Sequence, residues 1–446
     1  MIPLVIIKDI EFNNTLLNTL QLPKIFCENS YEDIKEKIKN TNRVIITWNS
    51  TTILDISLVN KLLEYNGEIV FIANLPEYME FEIWNTEFLL EVLEKHKNTA
   101  KPLRNLLSSI ELDEAIYYTD IIENDIRLFR WELTPYSYKA EKLLEKVIPS
   151  IDTSNSITDQ LQIIFRQNPE YLTEIPTFYY LEISSEYIES KYLPKWNTQL
   201  PSMTKEEFIN TINIIKDYSK TFGVMLGLFN EPLLNKHIEE ILHTIKNFIG
   251  EKISFIINTS LNTLPQSLID LFRETKGLKG FKNYPFLSIF VDIPSHKKEL
   301  FSQLKECNYD EVMNNLSKLL YEDTSRVYIK FVRTIFNTNT LPDFYNHFKG
   351  SNVIITRPFS KEIIAVDTVL SHRIPCYKLQ TSLVILPNGD VLLCPKDIER
   401  KHILGNIFNT PLKEVNFHKS KILKMHFDNN FEDICKDCPI WDQFDL

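Results

Sequence analysis

The sequence predicts an α/β protein made of an N-terminal α/β domain, a partial (β/α)6 barrel and a small C-terminal domain rich in cysteine. Three observations predict it. Branched and aromatic runs alternate with amphipathic stretches along most of the chain, an order that favours a mainly parallel sheet covered by helices. From residue 178 the alternation settles to about thirty residues per unit, the repeat of a (β/α) barrel. Four of the six cysteines fall within the last seventy or so residues.

A chain of 446 residues is too long for one ordinary domain and suits two or three. The expected divisions are 1–165, 176–358 and 370–446. Hydrophobic residues at 43% and charged residues at 24% are those of a soluble globular protein. The net charge of −11 disfavours polyanions, so neither nucleic acid nor anionic lipid is an expected partner. The first apolar run is too short for a secretory segment, and no later run approaches the roughly 20 apolar residues of a membrane helix. A cytoplasmic setting is expected, where clustered cysteines hold metal rather than form disulfides. With nine glycines there is no GxxxxGK[ST] or GxGxxG, which removes the P-loop and Rossmann classes.

In the first domain, strands are expected at Pro3–Lys8, Arg43–Thr47, Glu68–Ala73 and Ala115–Tyr118, with a β-like run at Ile126–Glu132. Helices are expected at Tyr31–Lys39 behind a Ser30 cap, Ser57–Tyr65, Phe88–Lys97 and Lys139–Lys146. Asn49, Ser50, Thr51 and Asp55 follow a strand, where open sheets bind ligands, but a cap for the next helix is the preferred reading. A nucleotidyltransferase-like sheet fits at the level of fold alone. The glycine- and arginine-bearing loop and paired aspartates of such enzymes are not visible.

Residues 166–176, with Pro169 and Pro176, read as a connector. Strands follow at 178–184, 224–228, 254–259, 286–293, 326–334 and 352–356, separated by helices at Lys205–Thr221, Leu234–Ile249, Pro265–Glu274, Tyr309–Tyr321 and Pro342–Lys349. Their functional loops are expected at the strand C-termini.

In the tail, Cys376 is followed by twelve residues, Gly389, four more and Cys394; Cys435 and Cys438 form a later CxxC. Four thiolates suit a structural zinc ion or a 4Fe–4S cluster, and spacing alone favours zinc. LVILPNGDVLLC reads as a hairpin whose Asn388-Gly389 signals a type I′ turn and returns Cys394 towards Cys376. A helix over Leu412–Lys424 links to the CxxC, and Lys396–Lys401 reads as a solvated loop.

Residues 176–446 resemble the radical S-adenosylmethionine superfamily, and the tail resembles its SPASM auxiliary-cluster domain. LEIS, the following loop, SMTKEEFINTINIIKDYSK and GLFNEPLLNKHIEEIL carry the first resemblance. The C-x(9–15)-G-x4-C element, HILGNIF and the CxxC carry the second. The whole order is similar to the spiro-SPASM family. The resemblance implies one auxiliary 4Fe–4S cluster on Cys376, Cys394, Cys435 and Cys438, ahead of zinc, and a setting in peptide or protein modification with a peptide or protein partner.

The chain departs from that family where the catalytic cluster would sit. The CxxxCxxC loop is replaced by SSEYIESKYLPKW, with Glu186, Ser190 and Leu193 at the cysteine places. Leucine cannot ligate iron, and oxygen donors replace thiolate poorly. Asn230 stands in the glycine slot of the strand-two motif, and Thr259-Ser260-Leu261 replaces Thr-Asn-Gly. Reductive cleavage of S-adenosylmethionine is therefore not expected; whether that cofactor binds stays open.

Glu231 and Arg333 are candidate binding residues in the barrel mouth, Glu231 for an amine or backbone N–H and Arg333 for a carboxylate. Cys27 and Cys307 are read as buried or incidental thiols, and His237 and His243, six apart, miss the spacing of a metal-binding helix face. Two classes remain open. One is a catalytically silent protein acting in binding or electron transfer. The other is an enzyme, through unusual ligation or a nucleotidyl- or glycosyltransferase-like N-terminal domain; a zinc-stapled scaffold is the third possibility.

Overall fold

The computed structural model describes residues 2–8, 22–28, 30–48, 50–72, 75–76, 78–97, 115–118, 126–133, 137–194, 200–359, 361–365, 373–431 and 433–441. The chain divides into two compact units, Met1–Asn168 and Pro169–Leu446.

In the first unit, β1 (Leu4–Ile7), β2 (Lys24–Cys27), β3 (Arg43–Trp48), β4 (Ile69–Ile72), β5 (Glu82–Asn85) and β6 (Ala115–Tyr118) form one sheet, ordered β2-β1-β3-β5-β4-β6. Strand β5 runs antiparallel to both β3 and β4, and the other pairs are parallel. Antiparallel neighbours need no crossover helix, so β5 follows β4 without the helix that marks the other strands in the sequence. Ile126–Glu132, expected to be β-like, instead begins with a 3-10 turn at Ile126–Phe129.

The expected caps form. The Ser30 side chain accepts from the Asp33 N–H, and Asp55 caps the helix Ile56–Leu63 through Ser57 and Leu58. The second Asp55 carboxylate oxygen accepts from the Thr158 N–H at 2.9 Å. Asn49 lies outside the described residues; Ser50 and Thr51 are buried, and the Thr47 hydroxyl donates to that of Thr51. Asp55 thus works as a structural cap, as the bland reading expected.

The second unit holds β7 (Phe178–Leu181), β8 (Phe222–Leu226), β9 (Ile253–Thr259), β10 (Leu287–Asp292), β11 (Val327–Val332) and β12 (Asn352–Thr356), followed by β13 (Ser382–Ile385), β14 (Asp390–Leu392) and β15 (Ile403–Asn406). They form one nine-stranded sheet, ordered β12-β11-β10-β9-β8-β7-β13-β14-β15. From β12 to β13 every pairing is parallel, and β14 and β15 are antiparallel. The five expected helices lie at Lys205–Ser219, Ile238–Ile245, Gln266–Glu274, Tyr309–Asp323 and Leu341–His347, with a further helix at Lys298–Leu304. The first is fixed by a capping box between Thr204 and Glu207. Part of the expected connector is helical, since Ile157–Gln167 and the single turn Glu170–Thr173 flank Pro169.

Parallel strands covered on both faces read as continuous apolar runs, which is why these six were legible. Tyr179, Leu181, Val224, Leu226, Phe255 and Ile257 pack towards the helices. Their neighbours Phe178, Tyr180, Met225 and Ile256 face the other way, together with Val384, Leu386 and Leu392 of the tail. Among the described residues no helix is long and apolar enough to cross a membrane.

The tail hairpin differs in detail from its prediction. Gly389 is left-handed at φ +87° while Asn388 is not, and the Gly389 N–H closes on the Leu386 carbonyl at 2.9 Å. Pro387 favours the right-handed first corner of a type I turn, so a single glycine bends the chain where a type I′ turn needs two left-handed residues. A Cβ on Gly389 would stand 2.5 Å from the Phe408 ring. Gly389→Ala is expected to cost about 1–2 kcal/mol from backbone conformation alone, more once Phe408 is displaced, and to lower the melting temperature measured by circular dichroism.

Candidate metal centre and barrel mouth

Three separate pieces of chain bring the tail cysteines together. Cys376 precedes the short helix Tyr377–Thr381 that leads into β13, Cys394 follows β14, and Cys435 and Cys438 flank a turn in which the Cys438 N–H approaches the Cys435 carbonyl at 3.4 Å. Each cysteine keeps some solvent exposure as a residue, yet around the sulfurs crowding by neighbours dominates. Burial raises the pKa of the Cys394 thiol, and Cys438, Cys435 and Cys376 each add to the shift. Burial, then Cys376 and Cys438, push Cys435 up to about 12, while Arg373 and Lys396 oppose. Burial raises Cys438 as well.

The four sulfurs therefore occupy one electrostatic neighbourhood, in which burial disfavours the free thiolates of Cys394, Cys435 and Cys438. Such a donor set fits a soft metal centre, whose positive iron or zinc supplies what the protein withholds. Two cations belong to the same neighbourhood. Arg373 donates to the Lys436 carbonyl at 2.9 Å and lies 4.1 Å from the Phe431 ring centroid; Lys396 donates to the Ile434 carbonyl at 2.9 Å. His426 accepts from the Cys376 N–H through Nδ1 at 3.3 Å. Among the described residues no group of three or more His, Cys, Asp or Glu side chains is placed to hold a metal ion.

Lys396–Lys401 is not the solvated loop expected. Asp397 is buried and accepts from the N–H groups of Lys401 and His402 at 3.0 and 2.9 Å, which curls the segment beside the CxxC turn. The linking helix runs over Leu412–Phe427, and buried Lys419 ties it to the carbonyls of Lys378 and Ser382.

At the C-terminal ends of the barrel strands, the residues standing at the cysteine places are engaged in other work. Glu186 is exposed, and its carbonyl accepts from the Glu231 N–H at 2.8 Å. The Ser190 hydroxyl accepts from the Leu193 N–H at 3.0 Å, and Leu193 packs beside Tyr192, Leu304 and Val332. The loop is zipped onto the end of the Lys298–Leu304 helix by Lys191 N–H to Leu304 O and Glu306 N–H to Glu189 O, both 2.9 Å. Tyr192 is buried and donates to Asp292 at 2.8 Å. Trp196 lies outside the described residues.

Asp292 in turn pairs with Lys305 at 2.7 Å, in a contact where both side chains are almost wholly removed from solvent. Burial alone would raise the Asp292 carboxyl, but the Lys305 and Lys330 ammoniums hold it below its ordinary value. Lys330 also donates to Asn258 Oδ1 at 2.7 Å.

Glu182 is the residue that sequence reasoning missed. At the end of β7, and fully buried, it accepts from the N–H groups of Leu228, Phe229 and Asn230, three consecutive donors of the loop after β8. Burial raises its pKa to about 7 against the pull of these donors, with Glu231 adding to the rise. Glu231 is likewise buried and accepts from Thr259, Ser260 N–H and Leu233 N–H at 2.6, 2.6 and 3.2 Å. Asn230 donates to the Ser184 carbonyl at 2.6 Å without needing a left-handed backbone. Leu261 does keep a left-handed turn, φ +57°, at the place where the resemblance expects glycine. Arg333 donates to the Thr338 hydroxyl at 2.8 Å and meets no carboxylate among the described residues. A charged residue ending an apolar strand was the available signal for Glu182 and Asp292; Lys305 had none.

Two outcomes are expected. Lys305→Met leaves a buried carboxylate unpaired and is expected to cost about 3–5 kcal/mol in urea unfolding, with most recovered in Lys305→Met/Asp292→Leu. Glu182 has a folded pKa above its ordinary 4.5, so its contribution to stability is complete below that pH and falls as pH rises towards about 7. Between pH 5 and pH 8 the wild type is expected to lose melting temperature relative to Glu182→Gln; parallel curves would show that Glu182 does not titrate there.

Comparison with known proteins bears on the tail directly. Residues 376–439 match the SPASM family, an iron-sulfur cluster-binding domain. An uncharacterized protein of Treponema pallidum (strain Nichols) is 24% identical over 290 residues, 60% of this chain and 79% of that one. Streptococcus suis SuiB bound to its precursor peptide SuiA is similar over 74% of this chain and 77% of its own, at 13% identity and TM-score 0.42. The protein anSMEcpe with bound AdoMet and a Cp18Cys peptide is similar over 59% and 87%, at 12% identity and TM-score 0.43. All four tail cysteines, Cys376, Cys394, Cys435 and Cys438, lie inside the range that matches the SPASM model.

Proposed function

We propose that this chain is a radical-SAM-like protein with a silent barrel, which holds one 4Fe–4S cluster on Cys376, Cys394, Cys435 and Cys438 and serves in binding or electron transfer linked to peptide or protein modification. The observation that carries the cluster assignment is the convergence of these four thiols from three pieces of chain within the SPASM match. Bound there, a cluster supplies one-electron chemistry. Arg373 and Lys396 offset the charge of its thiolate ligands, and the Arg373 bond to Lys436 O holds the CxxC turn in place.

The silent barrel rests on occupancy by the chain itself. Glu182 takes three backbone donors, Tyr192 and Lys305 take Asp292, and Leu193 is part of an apolar cluster. The buried carboxylates of the mouth, Glu182, Glu231 and Asp292, each have an internal partner. Asn230 and Glu231 help to shape this mouth, and Arg333 stands at its edge bonded to Thr338.

The test is anaerobic purification with iron, sulfide and zinc quantitation on the wild type, Cys394→Ala and Cys438→Ala. About four irons per chain are expected in the wild type, the content of one cubane, with loss in both variants. Stoichiometric zinc without acid-labile sulfide would replace the cluster by a structural ion. Calorimetry with S-adenosylmethionine is expected to show no binding; radical formation from reconstituted protein would overturn the silent barrel.

A further inference from the structure

The two faces of the barrel sheet are not equally closed. Residues turned towards the helices, such as Leu226, Ile257, Val291 and Ile329, are 0% exposed, whereas Asn258 at 9%, Ile256 at 8% and Phe290 at 4% on the inner face keep some contact with water. On β11 and β12, at the end of the sheet, that inner face opens further, and Tyr328, Lys330 and Ile354 are partly exposed.

A lysine stands at this opening among apolar side chains. Lys330 follows Tyr328 by two residues and so shares its face, and Tyr328 packs on Phe290 with ring centroids 4.8 Å apart. In the sheet register Lys330 lies opposite Asp292. That carboxylate is already engaged through Oδ2, which accepts from Tyr192 and Lys305 at 2.8 and 2.7 Å, while its buried Oδ1 has no hydrogen-bond partner among the described residues. The Lys330 ammonium donates to Asn258 Oδ1 at 2.7 Å, its one hydrogen-bond partner among the described residues. Asn258 is fixed in that orientation, because its Nδ2 donates to the Gly227 carbonyl at 2.9 Å. Burial lowers the Lys330 pKa against the pull of Asp292, Lys305 adds to the fall, and Glu231 opposes it. A lysine in an apolar setting beside a second cation is the arrangement that makes an amine nucleophile.

We propose that Lys330 is a covalent attachment point that forms an imine with an uncharged aldehyde or ketone whose apolar substituent lies along Phe290 and Tyr328. The site is separate from the tail, stands whether or not the cysteines hold a cluster, and calls for no cleavage of S-adenosylmethionine. The neutral nitrogen attacks the carbonyl carbon while the C=O pair moves to oxygen, and the carbinolamine so formed loses water. Overall an ammonium and a carbonyl give an iminium and water, with no net change in protons, electrons or charge. Asp292 Oδ1 is the acceptor in this neighbourhood for the proton released at attack, which returns to the departing hydroxyl. Asp292 then faces the iminium charge, and the same carboxylate disfavours an anionic substituent such as that of a keto acid.

The test treats the full chain with phenylacetaldehyde and sodium cyanoborohydride near neutral pH and maps the reductively alkylated lysines by peptide mass spectrometry. Lys330 is expected to carry more label than the other lysines together, at a rate that saturates with aldehyde concentration. Glyoxylate, an anionic aldehyde, is expected to label Lys330 more slowly. In Lys330→Met the saturable labelling is expected to be lost while the slow labelling of exposed lysines is unchanged; the mapping on the wild type decides the matter even where that variant does not fold. Label spread evenly over the exposed lysines, an unmodified Lys330, a rate at Lys330 that rises linearly without saturating, or faster labelling by glyoxylate overturns the proposal.

Discussion

The parallel pairing of β13 with β7 is the constraint on which the second unit depends. Ser382 to Ile385 run in register with Phe178 to Leu181, and the ladder continues through Thr177 N–H to Thr381 O and Glu182 N–H to Ile385 O. The strand that opens the barrel is therefore shared with the tail. Cys376 lies a short helix before β13, and Cys394 lies at the end of the hairpin partner β14. Cys376 and Cys394 are placed by one sheet, and a shift of one residue in that register would turn Val384 from an apolar cluster to the opposite face.

The same strand carries Glu182 into the barrel mouth, where carboxylates and ammoniums have replaced what a ligand would bring. A buried carboxylate is expensive unless donors surround it, and the loop after β8 offers three N–H groups in succession. Lys305 solves the corresponding problem for Asp292 at the end of β10, and Tyr192 closes the arrangement. Buried pairs of this kind contribute little net stability but forbid most alternatives, because separating them leaves a charge without water. Their effect is to tie the loop Ser185–Pro194 to the strand ends through Tyr192.

Much of this was legible in the sequence, for a physical reason. Strands buried on both faces have to be apolar throughout, so LEIS, VMLGL, SFIINT and FLSIFVDI announce themselves, and Thr204 with Glu207 marks where the first helix begins. The four-residue β2 and β5 escaped notice because KIFC and EIWN are too short to show a period. The type I turn at Asn388-Gly389 was misjudged because an Asn-Gly pair has the same letters in either hand; Pro387 before it decides. Long-range pairings had no signal at all. Nothing in the spelling of Lys305 says that it lies beneath Asp292, nor in that of Glu182 that its donors come from a loop 46 residues away.

The tail and the barrel mouth have resolved buried charge in opposite ways. In the mouth the buried carboxylates Glu182, Glu231 and Asp292 each meet an internal partner. Around the cysteines, four thiols crowd one another, and the nearby cations offset only part of the cost of ionising them. A metal held as proposed would tie Cys376, Cys394 and the CxxC turn into one ring. Because Cys376 and Cys394 bracket the β13–β14 hairpin, such binding would reinforce the register between β13 and β7 and link the stability of the barrel's first strand to occupancy of the tail.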